Sequence, residues 1–189
     1  MNNVYVIFEG PDRVGKDTQI KKLLTNLAIR GKLSFVMHFS NIPGLDKNYV
    51  KAYSQYMYHN MFLVLKENYC MDNERCLILN RSHIGEAVYS PMYRNYSGDY
   101  VFEIENMFKN QTFFSRIVLF TMIDDPNSII ERDDGLSFSV DVDKKTEEIK
   151  MFKRAHEMSY IKHKLLINIA NKTIDDVHQD VISLIQEVL

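Results

Sequence analysis

Residues 4–18, Val4-Tyr5-Val6-Ile7-Phe8-Glu9-Gly10-Pro11-Asp12-Arg13-Val14-Gly15-Lys16-Asp17-Thr18, decide the fold. The run VYVIFE reads as a short buried strand, the glycine-bounded segment after it as a loop, and residues 17–30 as a helix. Gly10 to Lys16 has the G-x-x-x-x-G-K spacing of a phosphate-binding P-loop up to its last position. Glycines let the backbone wrap a polyphosphate with its N–H groups turned inward. The helix N-terminus adds positive dipole, and Lys16 reaches the outer phosphates. A Ser or Thr that ligates Mg²⁺ normally follows the lysine, whereas here Asp17 does. Either its carboxylate binds the ion or the task passes to water and Thr18. The alternative is a Gly-rich strand-to-helix turn with an incidental lysine.

Further strands are expected at residues 35–39 (FVMHF, ending in the SNIPG turn), 76–80 (CLILN), 117–123 (IVLFTMI) and 165–170. Helical spacing covers residues 49–68, 99–109, 126–132 and 174–188, with Asp124 or Asp125 capping the third of these. A charged stretch, 131–150, leads into a long amphipathic helix ending near His163. Continuous apolar strands separated by helices imply an α/β fold: a five-stranded parallel sheet with helices on both faces in a three-layer sandwich.

A chain of 189 residues is the length of one domain, so residues 1–189 are expected to form one. With 23 basic and 25 acidic residues, net charge -2, no excess positive field draws the chain onto nucleic acid. At 46% hydrophobic and 25% charged it is neither disordered nor fibrous. Cys70 and Cys76 form neither a disulfide framework nor a zinc pattern, as expected for reduced thiols in cytoplasm. Neither an export signal nor a membrane span is read.

The segment FEGPDRVGKDTQ resembles the P-loop of thymidylate kinases. Asn80-Arg81-Ser82-His83 is similar to the family's Asp-Arg motif at the end of the third strand. Asp124-Asp125-Pro126 with Glu131-Arg132 resembles the approach to the lid, and INIANKTIDDVHQDVISLI the last strand and helix. The resemblance implies phosphoryl transfer from Mg·ATP to dTMP in dTTP biosynthesis. A broader deoxynucleotide range or a deoxynucleoside kinase is the alternative. It also implies a homodimer through helices near the third strand, for which residues 49–68 and 99–109 supply a face. The departures at GKDT and in the acceptor site point to a viral or otherwise divergent member, acting then in host cytoplasm.

The same resemblance distributes roles. Asp12 holds the 3′-hydroxyl of the deoxyribose or caps the turn. Arg13 is the P-loop arginine that neutralises the transferring phosphoryl group, and Arg81 grips the acceptor phosphate. Gly10, Arg13, Val14, Gly15, Lys16, Asp17 and Thr18 bind ATP, with Arg132 and Ala170 beside the adenine. Asp17 and Thr18 are the candidate metal ligands. Asn80 stands where the family usually has aspartate, as though the acid had moved to Asp17. His38 replaces an arginine at the acceptor phosphate or is a structural strand-end histidine. Tyr56 falls at the base-stacking position, Asn60 where an arginine contacts the base, and Tyr89 where a ring crowds the 2′ side of the sugar. The lid, about 133–145, offers Phe138, Lys144 and Lys145. A switch protein of GTPase type fails because Ile174 stands where Asn171-Lys172 would need an aspartate. A nucleoside kinase would need a base, for which Glu9 or Glu86 is placed.

Overall fold

The computed structural model describes residues 3–39, 46–71, 74–135 and 137–188; the expected turn at 40–44 lies outside them. Five strands run β1 (Val4–Glu9), β2 (Leu33–His38), β3 (Arg75–Asn80), β4 (Ile117–Ile123) and β5 (His163–Asn168). They form one all-parallel sheet in the order β2-β3-β1-β4-β5. The helices are α1 (Lys16–Ile29), α2 (Lys47–Tyr69), α3 (His83–Tyr89), α4 (Tyr100–Phe108), α5 (Pro126–Glu131), α6 (Val142–Met158) and α7 (Ile174–Val188).

Side chains alternate across a strand, so a strand covered on both faces has no polar positions to spare. In β1, Tyr5 and Ile7 enter a core with Leu77, Leu79, Ile117 and Leu119, closed by Phe62 of α2, Phe108 of α4 and Phe152 of α6. Val4, Val6 and Phe8 enter the opposite core with Ile78, Val118 and Phe120, closed by Leu23 of α1 and Val181 of α7. Truncating a ring such as the fully buried Phe62 to alanine costs about 3–5 kcal/mol of this packing.

The edges depart from expectation. β2 begins two residues early, at Leu33, and carries Leu33, Phe35 and Val36 exposed. β5 spans His163–Asn168 rather than 165–170, because pairing with β4 starts at Val118↔His163 and recruits polar His163 and Lys164. Ile169 and Ala170 instead enter the turn closed by Asn171, whose φ is 66°. α6 occupies the charged stretch itself: Asp141 caps it by accepting from the Lys144 N–H at 2.9 Å, and it ends at Met158, five residues before His163. Lys and Glu are good helix formers, so the run is a helix rather than a leader to one. Asp125, not Asp124, caps α5, accepting from the Asn127 and Ser128 N–H groups. Three short elements went unread: α3, a π turn at Ser90–Arg94 and a 3₁₀ turn at Thr112–Arg116.

Candidate active site

β1 and β3 are neighbours, with Phe8 opposite Asn80, so the loops leaving their carboxyl ends stand side by side. Ligands of open parallel sheets bind at such a place. A cleft of about 1010 Å³ opens there, lined by Asp12, Arg13, Val14, Gly15, Lys16, Asp17 and Thr18 from the P-loop. Gly10 makes the loop possible: its φ is 135°, and a Cβ would lie 2.1 Å from the Met122 carbonyl oxygen. Gly10 shapes the turn without lining the cleft.

Lys16 is buried, and its Nζ donates to the carbonyl oxygens of Gly10 at 2.8 Å and Pro11 at 2.5 Å. Burial pushes its ammonium down to about 8, against the opposing pull of Glu9 and Asp17. Arg13 and Arg81 both have φ 67°, a left-handed conformation uncommon outside glycine. Strained residues persist where surrounding structure holds them, and functional sites are where they cluster. Arg81 pairs with Asp12, its N–H bonds the Phe8 carbonyl at 3.0 Å, and its guanidinium lies 5.9 Å from the centroid of the Tyr89 ring. Arg13 pairs with Asp134. Two arginines and a lysine thus converge on one cleft, each held by a group that a phosphate oxygen can replace.

Asp17 sits in the first turn of α1, where the helix dipole favours a carboxylate, and accepts from Asn80 Nδ2 at 2.6 Å. The two positions exchanged relative to the thymidylate kinase motif therefore touch. No group of three His, Cys, Asp or Glu able to hold a metal occurs among the described residues. Asp17 with Thr18 suits Mg²⁺ that takes most of its ligands from phosphate and water.

His38 and Tyr89 line the cleft as expected, as does Phe138, which stacks on Tyr93 at 4.9 Å and meets Tyr89 at 5.5 Å. Two base contacts need correction. Tyr56 is 71% exposed, and neither it nor Asn60 lines the cleft; Tyr58, two residues on, does. A helix turns about 200° in two residues, so a register difference of two moves the ring to the other face. Phe39, 6.3 Å from the Tyr58 ring, continues this aromatic wall. Arg132 lines the cleft and pairs with Asp124. Ala170 does not line it, lying with Arg132 in an adjoining depression because β5 ends early. Ile169, Lys172 and Thr173 take its place.

Of the lid candidates, Lys144 is exposed outside the cleft lining. Lys145 is buried, its Nζ 2.7 Å from Glu148 Oε2, and its charge reaches Lys16. The two candidate bases are placed differently. Glu9, whose carboxyl burial pushes up, accepts from Ser82 N at 2.6 Å, Ser82 Oγ at 2.9 Å and Gly85 N at 3.2 Å and does not line the cleft. Glu86 lines the cleft and accepts from Arg94, Tyr96 and Tyr100. Arg94, the partner of Glu86, was missed in the sequence, where the only signal was a proline, Pro91, interrupting an otherwise helical run.

No protein-family model matches the chain, and no curated protein matches it in sequence. Solved structures do. The YorR protein of Bacillus subtilis, in complex with phosphorylated GDP, is 17% identical, covers 97% of this chain and 96% of its own, with TM-score 0.66. A thymidylate kinase of Candida albicans, whose structure is described as revealing the origin of broad substrate specificity, is 15% identical over 98% and 92%, with TM-score 0.67. The thymidylate kinase of Ehrlichia chaffeensis is 15% identical over 98% and 100%, with TM-score 0.69. At these identities the shared property is the fold: the chain is folded as thymidylate kinases are, a five-stranded parallel P-loop sandwich.

Proposed function

We propose that the protein is a deoxynucleoside monophosphate kinase of the thymidylate kinase type, moving the γ-phosphoryl group of Mg·ATP onto dTMP to give dTDP and ADP. The observation that carries this reading is the meeting of left-handed Arg81 with Asp12 of the P-loop, in one cleft with Lys16 and Arg13. A P-loop alone serves many nucleotide reactions. A second, fixed arginine across from it supplies the fork that an acceptor monophosphate needs.

An oxygen of the acceptor phosphate bonds to the γ-phosphorus while the bond from the γ-phosphorus to the bridging oxygen breaks and ADP departs. The acceptor is already an anion, so no general base is required, and positioning with charge neutralisation supplies the catalysis. Lys16 exchanges its two carbonyl partners for phosphate oxygens, Arg13 leaves Asp134 for the transferring group, and Arg81 leaves Asp12 for the acceptor. Asp12, released, accepts from the sugar 3′-hydroxyl. Asp17 and Thr18 would hold the Mg²⁺ that accompanies ATP and neutralises phosphate charge. Arg132 borders the adenine. The segment at about 133–145 is the lid, with Phe138 on Tyr93 and Asp134 on Arg13 as its two points of closure.

One domain over residues 1–189 working as a homodimer in cytoplasm, or host cytoplasm for a viral source, belongs to the same proposal. Exposed Tyr49, Tyr53 and Val64 of α2 and Met107 of α4 support a subunit face, and free Cys70 and Cys76 agree with reduced surroundings. No helix among the described residues is long and apolar enough to cross a membrane.

The test is Mg·ATP-dependent phosphorylation of dTMP, dUMP, dGMP, dCMP, dAMP, UMP and thymidine. Turnover of a deoxynucleoside monophosphate that falls at least about 100-fold in Arg81→Ala and Asp12→Ala is expected, from lost charge-assisted contacts. Activity on thymidine alone, or hydrolysis of ATP with no acceptor phosphorylated, would sink the reading.

A further inference from the structure

The cleft holds a further ion pair that the phosphoryl chemistry leaves unused. Glu86 of α3 and Arg94 of the π turn both line it, and their side chains are 1% and 15% exposed. Three donors fix the carboxylate: Arg94 Nη1, Tyr96 Oη at 2.7 Å and Tyr100 Oη at 2.8 Å. The loop that joins Tyr96 to Tyr100 at the start of α4 lies so close that a Cβ on Gly98 would come 2.2 Å from the Glu86 carbonyl oxygen. A buried ion pair is often no more stable than an apolar packing of the same volume, so its stability alone does not account for it. π turns, where they occur, are frequent at functional sites.

Arg94 bonds Glu86 and Ser90 Oγ, at 3.5 Å, through Nη1 and also meets the Tyr96 hydroxyl, and a guanidinium has five N–H donors. Its charge and that of Glu86 both act on the hydroxyl of Tyr58, whose ring lines the cleft with Phe39. An aromatic wall accepts any base; an edge contact selects one. Asn60, where the edge contact was expected, does not line the cleft.

We propose that Arg94 is the base-reading residue of this cleft, donating to a keto oxygen at C4 of a pyrimidine or C6 of a purine, with Glu86 as its positioning residue. This rests on the monophosphate kinase reading. A guanidinium has no acceptor, so it meets the amino group of cytosine or adenine donor to donor. Thymine, uracil and guanine monophosphates are the accepted class; cytosine and adenine monophosphates are refused.

The experiment compares kcat/KM for dTMP, dUMP and dGMP with that for dCMP and dAMP in the wild-type chain, Arg94→Gln and Arg94→Lys. The same nucleotides are titrated calorimetrically without ATP, and thermal unfolding reports whether each variant folds. The wild type is expected to favour keto bases, and Arg94→Gln, whose amide both donates and accepts, to erase about 10- to 100-fold of that ratio, mainly through KM. Arg94→Lys retains the charge and donors without the fork, and keeps part of the ratio even if the glutamine variant does not fold. Equal use of amino and keto bases by the wild type, or an unchanged ratio in both folded variants, overturns the proposal and leaves the kinase reading intact. If the wild type phosphorylates none of the five, the kinase reading falls. Binding then decides the inference: a keto preference lost in the variants supports it, and its absence overturns it.

Discussion

Lys16 shows what burial in the P-loop costs a single residue. Its ammonium is held at about 8, below the usual lysine value of 10.5, because burial penalises the charge. Between those values the unfolded chain binds a proton that the folded chain has released, so stability rises with pH across that window. The expected gain is about 3 kcal/mol from pH 8 to pH 10.5, before other groups are counted. Urea unfolding of the wild type and Lys16→Met across that range checks it: the difference between their slopes should be positive, and parallel curves would refute it. The arginines carry a different cost, paid in backbone strain at φ 67°. That cost was invisible in the sequence, where Arg13 and Arg81 are two basic residues among 23.

Among the elements, α6 departs most from its sequence signal. A run rich in Lys and Glu reads as a solvated surface, yet Lys145, Glu148 and His156 are buried on it. Periodicity reports where apolar residues fall, and these three are polar, so their burial waits on what α6 packs against. His156 meets β4 through Nδ1 to Thr121 Oγ1 at 2.9 Å. Burial, aided by the charge of Lys164, brings its imidazole down to about 4. A depressed folded value means that the unfolded chain takes up the proton first as pH falls. The stability held by neutral His156 is therefore intact above about 6.5 and lost progressively toward pH 4. His156→Gln should flatten that acid limb in denaturant titrations at pH 7, 5.5 and 4. An unchanged limb would assign the loss to other groups. α2 makes the complementary point: its helical spacing was legible, but which of Tyr56 and Tyr58 faces the cleft was not.

Across the whole molecule, one hydrogen-bonded chain ties the end of β1 to the junction of α6 and β5. Glu9 holds Ser82, Ser82 Oγ meets His83 Nδ1 at 3.2 Å, and His83 Nε2 meets Glu105 Oε1 at 2.6 Å. Glu105 in turn accepts from Ser159 Oγ at 2.8 Å and Tyr160 N at 2.6 Å, where α6 hands over to β5. Breaking a buried network at one member leaves the others unpaired, so Glu105→Ala should cost about 3–5 kcal/mol in denaturant unfolding. A loss under about 1 kcal/mol would show the network to be dispensable. The inner strands, the P-loop and the helix over residues 174–188 were legible from sequence because each rests on a local rule, an apolar run, a glycine spacing or a 3.6-residue period. The same local rules misplaced β5, α6 and the base contacts, whose limits are set by partners distant in sequence. Sequence alone thus determined the parallel sheet and the glycine-bounded turn between β1 and α1, which neighbouring residues specify. Only the tertiary structure decided that Tyr58 rather than Tyr56 borders the cleft and that Glu86 is held by Arg94, Tyr96 and Tyr100. A side chain's facing and the partner of a buried charge depend on which elements pack together, and no window along the chain contains that.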